Sequence, residues 1–389
     1  PAGSAISSAA TLTVVPPAAL PDPAFSLTGV TTPGPFRMLP DGTLLILDGT
    51  SFAVYTLRKL DADFTADPSF SVTTTPASGF PASSAFPSPL PLPDGRFIAT
   101  GNFSAINGVA RNRVARLDAS GTVDTSFDPF FGAESFEVNG FTAYFSNLAG
   151  VAVTGSGTVY AMVRTSNQGS RLFRLLDDGS ADPSFDTAYN YGTSAYLYAL
   201  TELPDGSLLI GYTAGGFGSF DRGLRRVLPD GSFDPGFPLF DTSGNVTGIA
   251  LLGDGRFAAI HGTQLTIHGL ADGSLLETHG FTGTLTSIQP YRGRLLLTGP
   301  TAFGTTPLPG LALFSPGGGV DGNFPGGAGP NSDVIQAVID SQERILVRGG
   351  FTTWNGAAAP GFARLLVDNP ELGFATSAAR VIENEGSLE

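Results

Sequence analysis

A two-part phrase recurs along this chain, and its second half appears once before its first half has occurred. The first half, the head, is an apolar run on either side of a turn. It reads LPDGTLLIL at Leu39–Leu47, LPDGRFIAT at Leu92–Thr100, LPDGSLLIG at Leu203–Gly211 and LGDGRFAAI at Leu252–Ile260. Looser copies are GSGTVYAMV at Gly155–Val163, YRGRLLLTG at Tyr291–Gly299 and SQERILVRG at Ser341–Gly349. Gly42, Gly95, Gly157, Gly206, Gly255 and Gly293 mark six head turns, and Glu343 marks the seventh. The second half, the tail, is Asp-x-x-Phe. It ends at Phe70, Phe127, Phe185, Phe237 and Phe324, with a stretched version at Glu277–Phe281. The tail Asp22–Phe25 precedes every head.

One unit, Val246–Phe281, divides into four short apolar runs separated by turns at Asp254-Gly255, after His261 and at Asp272-Gly273. Asp-Gly suits a two-residue type I′ hairpin, in which both central residues take positive φ. Four hairpin-connected strands make one propeller blade, and a repeat near fifty residues of this kind points to a ring of them. No stretch keeps a 3.6-residue apolar spacing, so almost no helix is expected. The expected fold is all-β: a seven-bladed β-propeller of four-stranded antiparallel blades. The last unit has no Asp-x-x-Phe after its third strand, so the orphan tail at Asp22–Phe25 is expected to complete that blade and close the ring.

The tail has its own mechanism. An aspartate oxygen accepts a hydrogen bond from the backbone two residues on and starts a turn. The phenylalanine can then enter an apolar seam between blades. Phe25, Phe70, Phe127, Phe185, Phe237, Phe281 and Phe324 are therefore expected between neighbouring sheets, where most of the stability of a repeat array lies.

The net charge of −14 argues against nucleic acid, which requires a basic face. Many of the aspartates sit in head turns and tails, so much of the acidity is turn chemistry. The chain has no cysteine, which excludes disulfides, thiolate metal sites and cysteine nucleophiles. No apolar run approaches membrane-spanning length, so membrane insertion is not expected.

The segments Leu92–Pro129 and Gly349–Leu366 carry a resemblance. Between them Gly101/Gly349, Phe103/Phe351, Asn107/Asn355, Gly108/Gly356, Ala115/Ala363, Arg116/Arg364 and Leu117/Leu365 coincide without a gap. Head, Phe-x-x-x-Asn-Gly segment and tail together resemble the delta-60-repeat β-propellers of bacterial exported and surface proteins. The resemblance spans roughly residues 21–370, and units three, five and six depart from it most. It implies architecture and an extracellular or cell-surface setting, and it brings no common enzymatic activity. Ala2–Val15 resembles the last strand of an immunoglobulin-like domain, and Ala379–Glu389 resembles the opening of a Calx-β domain. The expected organisation is therefore residues 1–20 as the end of a preceding domain or linker, 21–372 as the propeller, and 373–389 as a linker and the start of a following domain.

Few residues remain to announce chemistry. His261, His268 and His279 all fall in unit five, at a spacing that does not force them to converge on a metal. Asp48, Asp221, Asp241 and Asp333 are acids outside the repeat motifs, and two of them suitably placed across a channel could serve a glycosidase or lyase. Asp61–Asp63 and Asp177-Asp178-Gly179 lack the spacing of a calcium loop and read as turns. Trp354, the only tryptophan, stands where its sister unit has Ile106, and either packs the blade or stacks on a ligand. Tyr189 and Tyr191 are further contact candidates, while alternation along a strand accounts for Tyr196 and Tyr198. No catalytic residue, metal ligand or cofactor is assigned, and calcium has no specific motif behind it. The expected function is a non-catalytic spacer or protein-binding platform in a large modular surface protein. Its expected partners are a protein or glycan at the cell surface and neighbouring domains of the same polypeptide. A carbohydrate-binding adhesin module and a propeller glycosidase or lyase are the alternatives.

Overall fold

The second strand of each unit is a nearly unbroken apolar run, as in Leu44–Asp48, because both of its faces are covered. Alternate side chains serve different neighbours, as the two-residue period of a strand requires. Leu45 and Leu47 pack toward the second sheet, and Leu44 and Ile46 toward the last.

The computed structural model describes residues 12–14, 19–49, 56–77, 89–129, 135–138, 141–165, 169–185, 195–216, 219–237, 240–242, 244–322, 324–326, 328–367 and 372–374. No helix occurs among them, and the fold is an all-β propeller. Seven radial antiparallel sheets follow one another among the described residues. The first is Pro33–Met38, Leu44–Asp48 and Thr56–Leu60, and the second is Leu90–Pro91, Phe97–Thr100 and Val114–Leu117. The third is built on Phe141–Val153, Val159–Thr165 and Gly169–Leu175. The fourth has Tyr196–Glu202, Leu208–Gly216, Ser219–Val227 and Phe240–Asp241. The fifth has Val246–Leu251, Arg256–His261, Gln264–Gly269 and Leu275–Gly280. The sixth has Ser287–Tyr291, Arg294–Thr298, Leu311–Ser315 and Gly319–Val320.

The seventh sheet combines both ends of the chain. Val334–Ile339, Ile345–Gly349 and Phe362–Val367 are joined at the outer edge by Ala19–Pro21, in the order expected of a closing strand. Ala19 and Leu20, which the sequence reading placed in segment 1–20, thus pair with Val367 and Leu366. Beyond this sheet, Leu12–Val14 pairs with Leu372–Phe374. First and last sheets also meet directly. The Gln336 side chain donates to the Phe36 carbonyl at 2.6 Å and accepts from the Phe36 amide at 3.3 Å, and Arg348 Nε donates to the Pro33 carbonyl at 3.0 Å.

The core is divided among the seams. Each large apolar cluster draws on two consecutive sheets and contains one tail phenylalanine. Phe70 lies between the first and second, Phe127 between the second and third, and Phe185 between the third and fourth. Phe237, Phe281 and Phe324 fill the next three seams, and Phe25 packs at the margin of the seam that joins the last sheet to the first. Burying one such ring is worth about 1.5–3 kcal/mol.

One head turn, Arg292-Gly293, keeps the expected type I′ geometry, with φ 48° and 72° between the paired Tyr291 and Arg294; the Leu-Pro-Asp-Gly heads depart from it. In the first head, Leu39 donates to Thr43 O at 2.8 Å and accepts from Gly42 N at 3.0 Å, with φ +84° at Gly42 and no positive φ at Asp41. This is a three-residue loop, a type I turn closed by a glycine bulge. Pro40 is compatible with this loop, because it lacks the ladder N–H that a two-residue Asp-Gly loop would require of it. Heads without proline close in the same way, as at Asp340, whose amide donates to Arg344 O at 2.9 Å. Type I′ turns also occur at the Asn-Gly pairs, with φ 48° and 76° at Asn107-Gly108 and 49° and 81° at Asn355-Gly356. The stretched tail at Glu277–Phe281 is also different: Leu275–Gly280 is strand, and the Phe281 amide donates to Thr263 O at 2.8 Å.

Candidate functional site

The tails are built around an arginine. The Asp124 backbone amide donates to Arg116 O at 2.8 Å, and its carboxylate accepts from the Ser126 amide at 3.0 Å and hydroxyl at 2.6 Å. Arg116 Nε donates to the other carboxylate oxygen at 2.8 Å, and its guanidinium lies 4.7 Å from the Phe127 ring centroid. One cation thus serves an ion pair and a π face at once. The Ser126 hydroxyl and the Arg116 guanidinium outweigh burial and hold Asp124 at about 2, well below an ordinary carboxyl. Arg174, Asp182 and Phe185 repeat the clasp, at 2.8 Å and 5.1 Å. Arg364, Asp22 and Phe25 form it across the ends of the chain, at 2.8 Å and 5.0 Å. The sequence reading missed this arginine. Its signal was a basic residue eight positions before the tail aspartate, at Lys59/Asp67, Arg116/Asp124, Arg174/Asp182 and Arg226/Asp234. In unit six Leu313 holds that position, and Arg294 reaches Asp321 at 2.8 Å from the neighbouring strand.

A groove of about 600 Å³ opens beside two of these clasps. Its origin is the third head. Where units one, two and four have Leu-Pro-Asp-Gly, this one has Thr154-Gly155-Ser156-Gly157, with the same bonds from Thr154 N to Thr158 O and from Gly157 N to Thr154 O, both 3.0 Å. Loss of proline and aspartate leaves a hollow between the Leu92-Pro93-Asp94 head on one side and Glu202, Gly206 and Pro229 on the other. Gly157 has φ +89°, and a Cβ there would lie 3.1 Å from Pro93 Cδ, so this head rests against the preceding one. The groove is lined by Arg96, Arg116 and Arg174 and by Asp94, Asp177, Asp182 and Glu202, with Tyr160 and Leu176 among the remaining wall residues.

Its guanidiniums are committed. Arg96 pairs with Asp94 at 2.6 Å and Asp124 at 3.2 Å, and Arg116 with Asp124 and with Asp177 at 2.6 Å. Arg174 donates to Asp182, to the Pro229 carbonyl at 3.0 Å and to Ser184 at 2.9 Å. The Arg96 guanidinium holds Asp94 below its usual range. Asp182 is lowered too: burial opposes ionisation, but the Ser184 hydroxyl and amide and Arg174 together prevail. Glu202 differs from these acids. It accepts from Ser156 Oγ at 2.5 Å and has no cationic partner among the described residues.

The other candidates are dispersed. Trp354 is fully buried, 5.4 Å from Phe351 in an edge-to-face contact, so its ring presents no face to solvent. Tyr189 and Tyr191 lie outside the described residues, as do the side chains of Asp221 and Asp241. Asp48 is buried and accepts from Thr31, Thr32 and Arg58 at 2.7–3.0 Å, and Asp333 is exposed. His261 and His268 are buried and His279 bonds Glu277 at 2.8 Å; among the described residues no group of three metal-ligating side chains forms. Tyr196 and Tyr198 are both exposed and lie close together, although the strand shifts register between Leu197 and Ala199. Their ring centroids are 6.0 Å apart, and the Arg164 guanidinium lies 3.7 Å from the Tyr196 ring.

A family model described as a domain of unknown function (DUF5122) beta-propeller matches residues 92–127 and 203–237. Each match runs from a head to its tail phenylalanine, through unit two and from the fourth head. No curated protein matches the chain. Among solved structures, a gluconolactonase from Xanthomonas campestris is similar at 13% identity and TM-score 0.42, over 92% of this chain and 100% of its own. The extracellular domain of a hybrid two-component system from B. thetaiotaomicron is similar at 13% identity and TM-score 0.46, over 92% and 39%. The WD40 domain of Neurospora crassa Pan2 is similar at 10% identity and TM-score 0.49, over 94% and 98%.

Proposed function

We propose that this propeller is a non-catalytic interaction module, a seven-bladed ring of a cell-surface or secreted protein that presents the groove beside the third head to a partner. The observation that carries the reading is a ligand-sized hollow at the third head, which lacks the Leu-Pro-Asp that the heads on both sides of it keep. Proton-transfer catalysis favours a carboxyl whose pKa is raised toward neutrality. Asp94 and Asp182 are held the other way, ionised and tied to arginine, which suits fixed recognition.

The test uses Ser156→Trp, which occupies the groove from an exposed position. Peptide and glycan libraries are screened beside glycoside, lactone and ester substrates. Binding that this variant abolishes, at an unchanged melting temperature, supports the module. Turnover of any substrate that disappears with the groove would replace it with an enzyme.

A second reading, a carbohydrate-binding module, rests on the exposed Tyr196–Tyr198 pair. Two adjacent rings offer the apolar face of a sugar a stacking surface. Glycan binding lost in a Tyr196→Ala/Tyr198→Ala double variant and retained in Ser156→Trp would favour it.

A further inference from the structure

We infer that the groove accepts a basic side chain, lysine or arginine, of a partner polypeptide, with Glu202 as its counter-ion. The inference rests on the groove being the contact site proposed above and adds the chemistry of what enters. Three guanidiniums line the groove against four carboxylates, so one negative charge is left over. The ion pairs identify which. Asp94, Asp177 and Asp182 each face an arginine at 2.6–2.8 Å, whereas Glu202 has only the Ser156 hydroxyl. The lining arginines are saturated by these acids and by backbone carbonyls, so none is free to turn toward Glu202. A half-buried carboxylate loses hydration without recovering it from a cation, and an incoming ammonium or guanidinium restores the balance. The long stem of such a side chain also suits the walls, where Leu92, Pro93, Leu176 and Pro229 give methylenes an apolar surface. The chain's overall charge of −14 favours approach of a cationic partner.

The probes are Nα-acetyl-lysinamide, Nα-acetyl-argininamide, the uncharged isostere Nα-acetyl-norleucinamide and methyl glucoside, titrated into the full chain by NMR. At least one basic probe is expected to bind about tenfold more tightly than norleucinamide, and to weaken as salt is raised. Glu202→Gln is expected to erase that preference, also about tenfold. Asp272→Asn, an equal charge change in a distant turn, is expected to leave it intact. Equal binding of norleucinamide, or full selectivity in Glu202→Gln, overturns the inference. If Ser156→Trp still abolishes partner binding while Glu202→Gln is silent, the groove stands and its cation does not. If neither variant has an effect, the groove is not the contact site, and methyl glucoside binding would shift the assignment to the sugar reading.

Discussion

The clasp in the second seam and the clasp that closes the ring use the same three side chains with opposite chain topology. Arg116 and Asp124 are eight residues apart, and Arg364 and Asp22 are 342 apart. Their contacts nearly coincide: a 2.8 Å Nε bond in both, and guanidinium-to-ring distances of 4.7 and 5.0 Å. For a bare chain, the longer loop would cost about 3 kcal/mol more to close. The intervening sheets remove that cost, because by the time they are stacked the two ends are already adjacent. A device that braces a local turn at Arg116 and at Arg174 can therefore also fasten the ends, without any new chemistry.

The largest test removes one member of the comparison. Deleting residues 1–26 takes away Ala19–Pro21, Asp22 and Phe25 together. It should lower stability by on the order of 5 kcal/mol, or abolish folding, with a thermal melt as the measurement. An unchanged melt would mean that the seventh sheet stands without its outer strand. The next test equalises the two clasps. Arg116→Ala and Arg364→Ala each strip a largely buried cation from an aspartate and a ring, and each should cost about 2–4 kcal/mol in denaturant unfolding. Hydrogen exchange then separates them. Arg364→Ala should release the Leu20 and Leu366 amides first, and Arg116→Ala should release no chain end.

Acid offers a weaker version of the same comparison. Asp124 lies at about 2 when folded, below the ordinary carboxyl value of 3.8, so its contribution is complete above pH ~4 and is lost as pH falls through 2. After allowance for solvent screening this amounts to about 1 kcal/mol, and the acid limb of a stability–pH curve should be shallower in Arg116→Ala by the part of it that Arg116 supplies, the Ser126 bonds remaining. The smallest effect concerns the head that lacks glycine. Glu343 holds φ +60°, and Glu343→Gly relieves a left-handed strain while giving up an exposed pair with Arg292. The expected gain is about 0.5 kcal/mol, seen as a rise of roughly 1–2 °C in melting temperature.

How far the sequence could be read depended on whether a feature was local. Heads and tails repeat within a few residues, so the ring, its seams and the closing strand were all legible. The head turn was misread because Asp-Gly was taken as a two-residue loop, whereas pairing closes one residue further out and only the glycine takes positive φ. The Arg–Asp–Phe clasp was present as an eight-residue spacing that crosses from one strand into the next turn, outside the frame of either motif. The groove could not be read at all. It is an absence at Gly155 and Ser156 that becomes a hollow only when Pro93 and Glu202 are brought alongside by neighbouring sheets. Trp354 was ambiguous in sequence because aromatic residues after a strand serve both burial and contact; its environment is burial.

The pairing of Leu12–Val14 with Leu372–Phe374 has a mechanical side. Leu12 stands opposite Phe374 and Val14 opposite Leu372, so the chain arrives and departs at the same end of this ribbon. Tension applied through the two ends would load its rungs one after another, like a zipper, and would not shear them together. The ribbon would yield at low force, with Ala19–Pro21 next in line, while the stacked sheets remained out of the load path. Under such a load the propeller would hang beside the line of pull, with the ribbon as extensible slack.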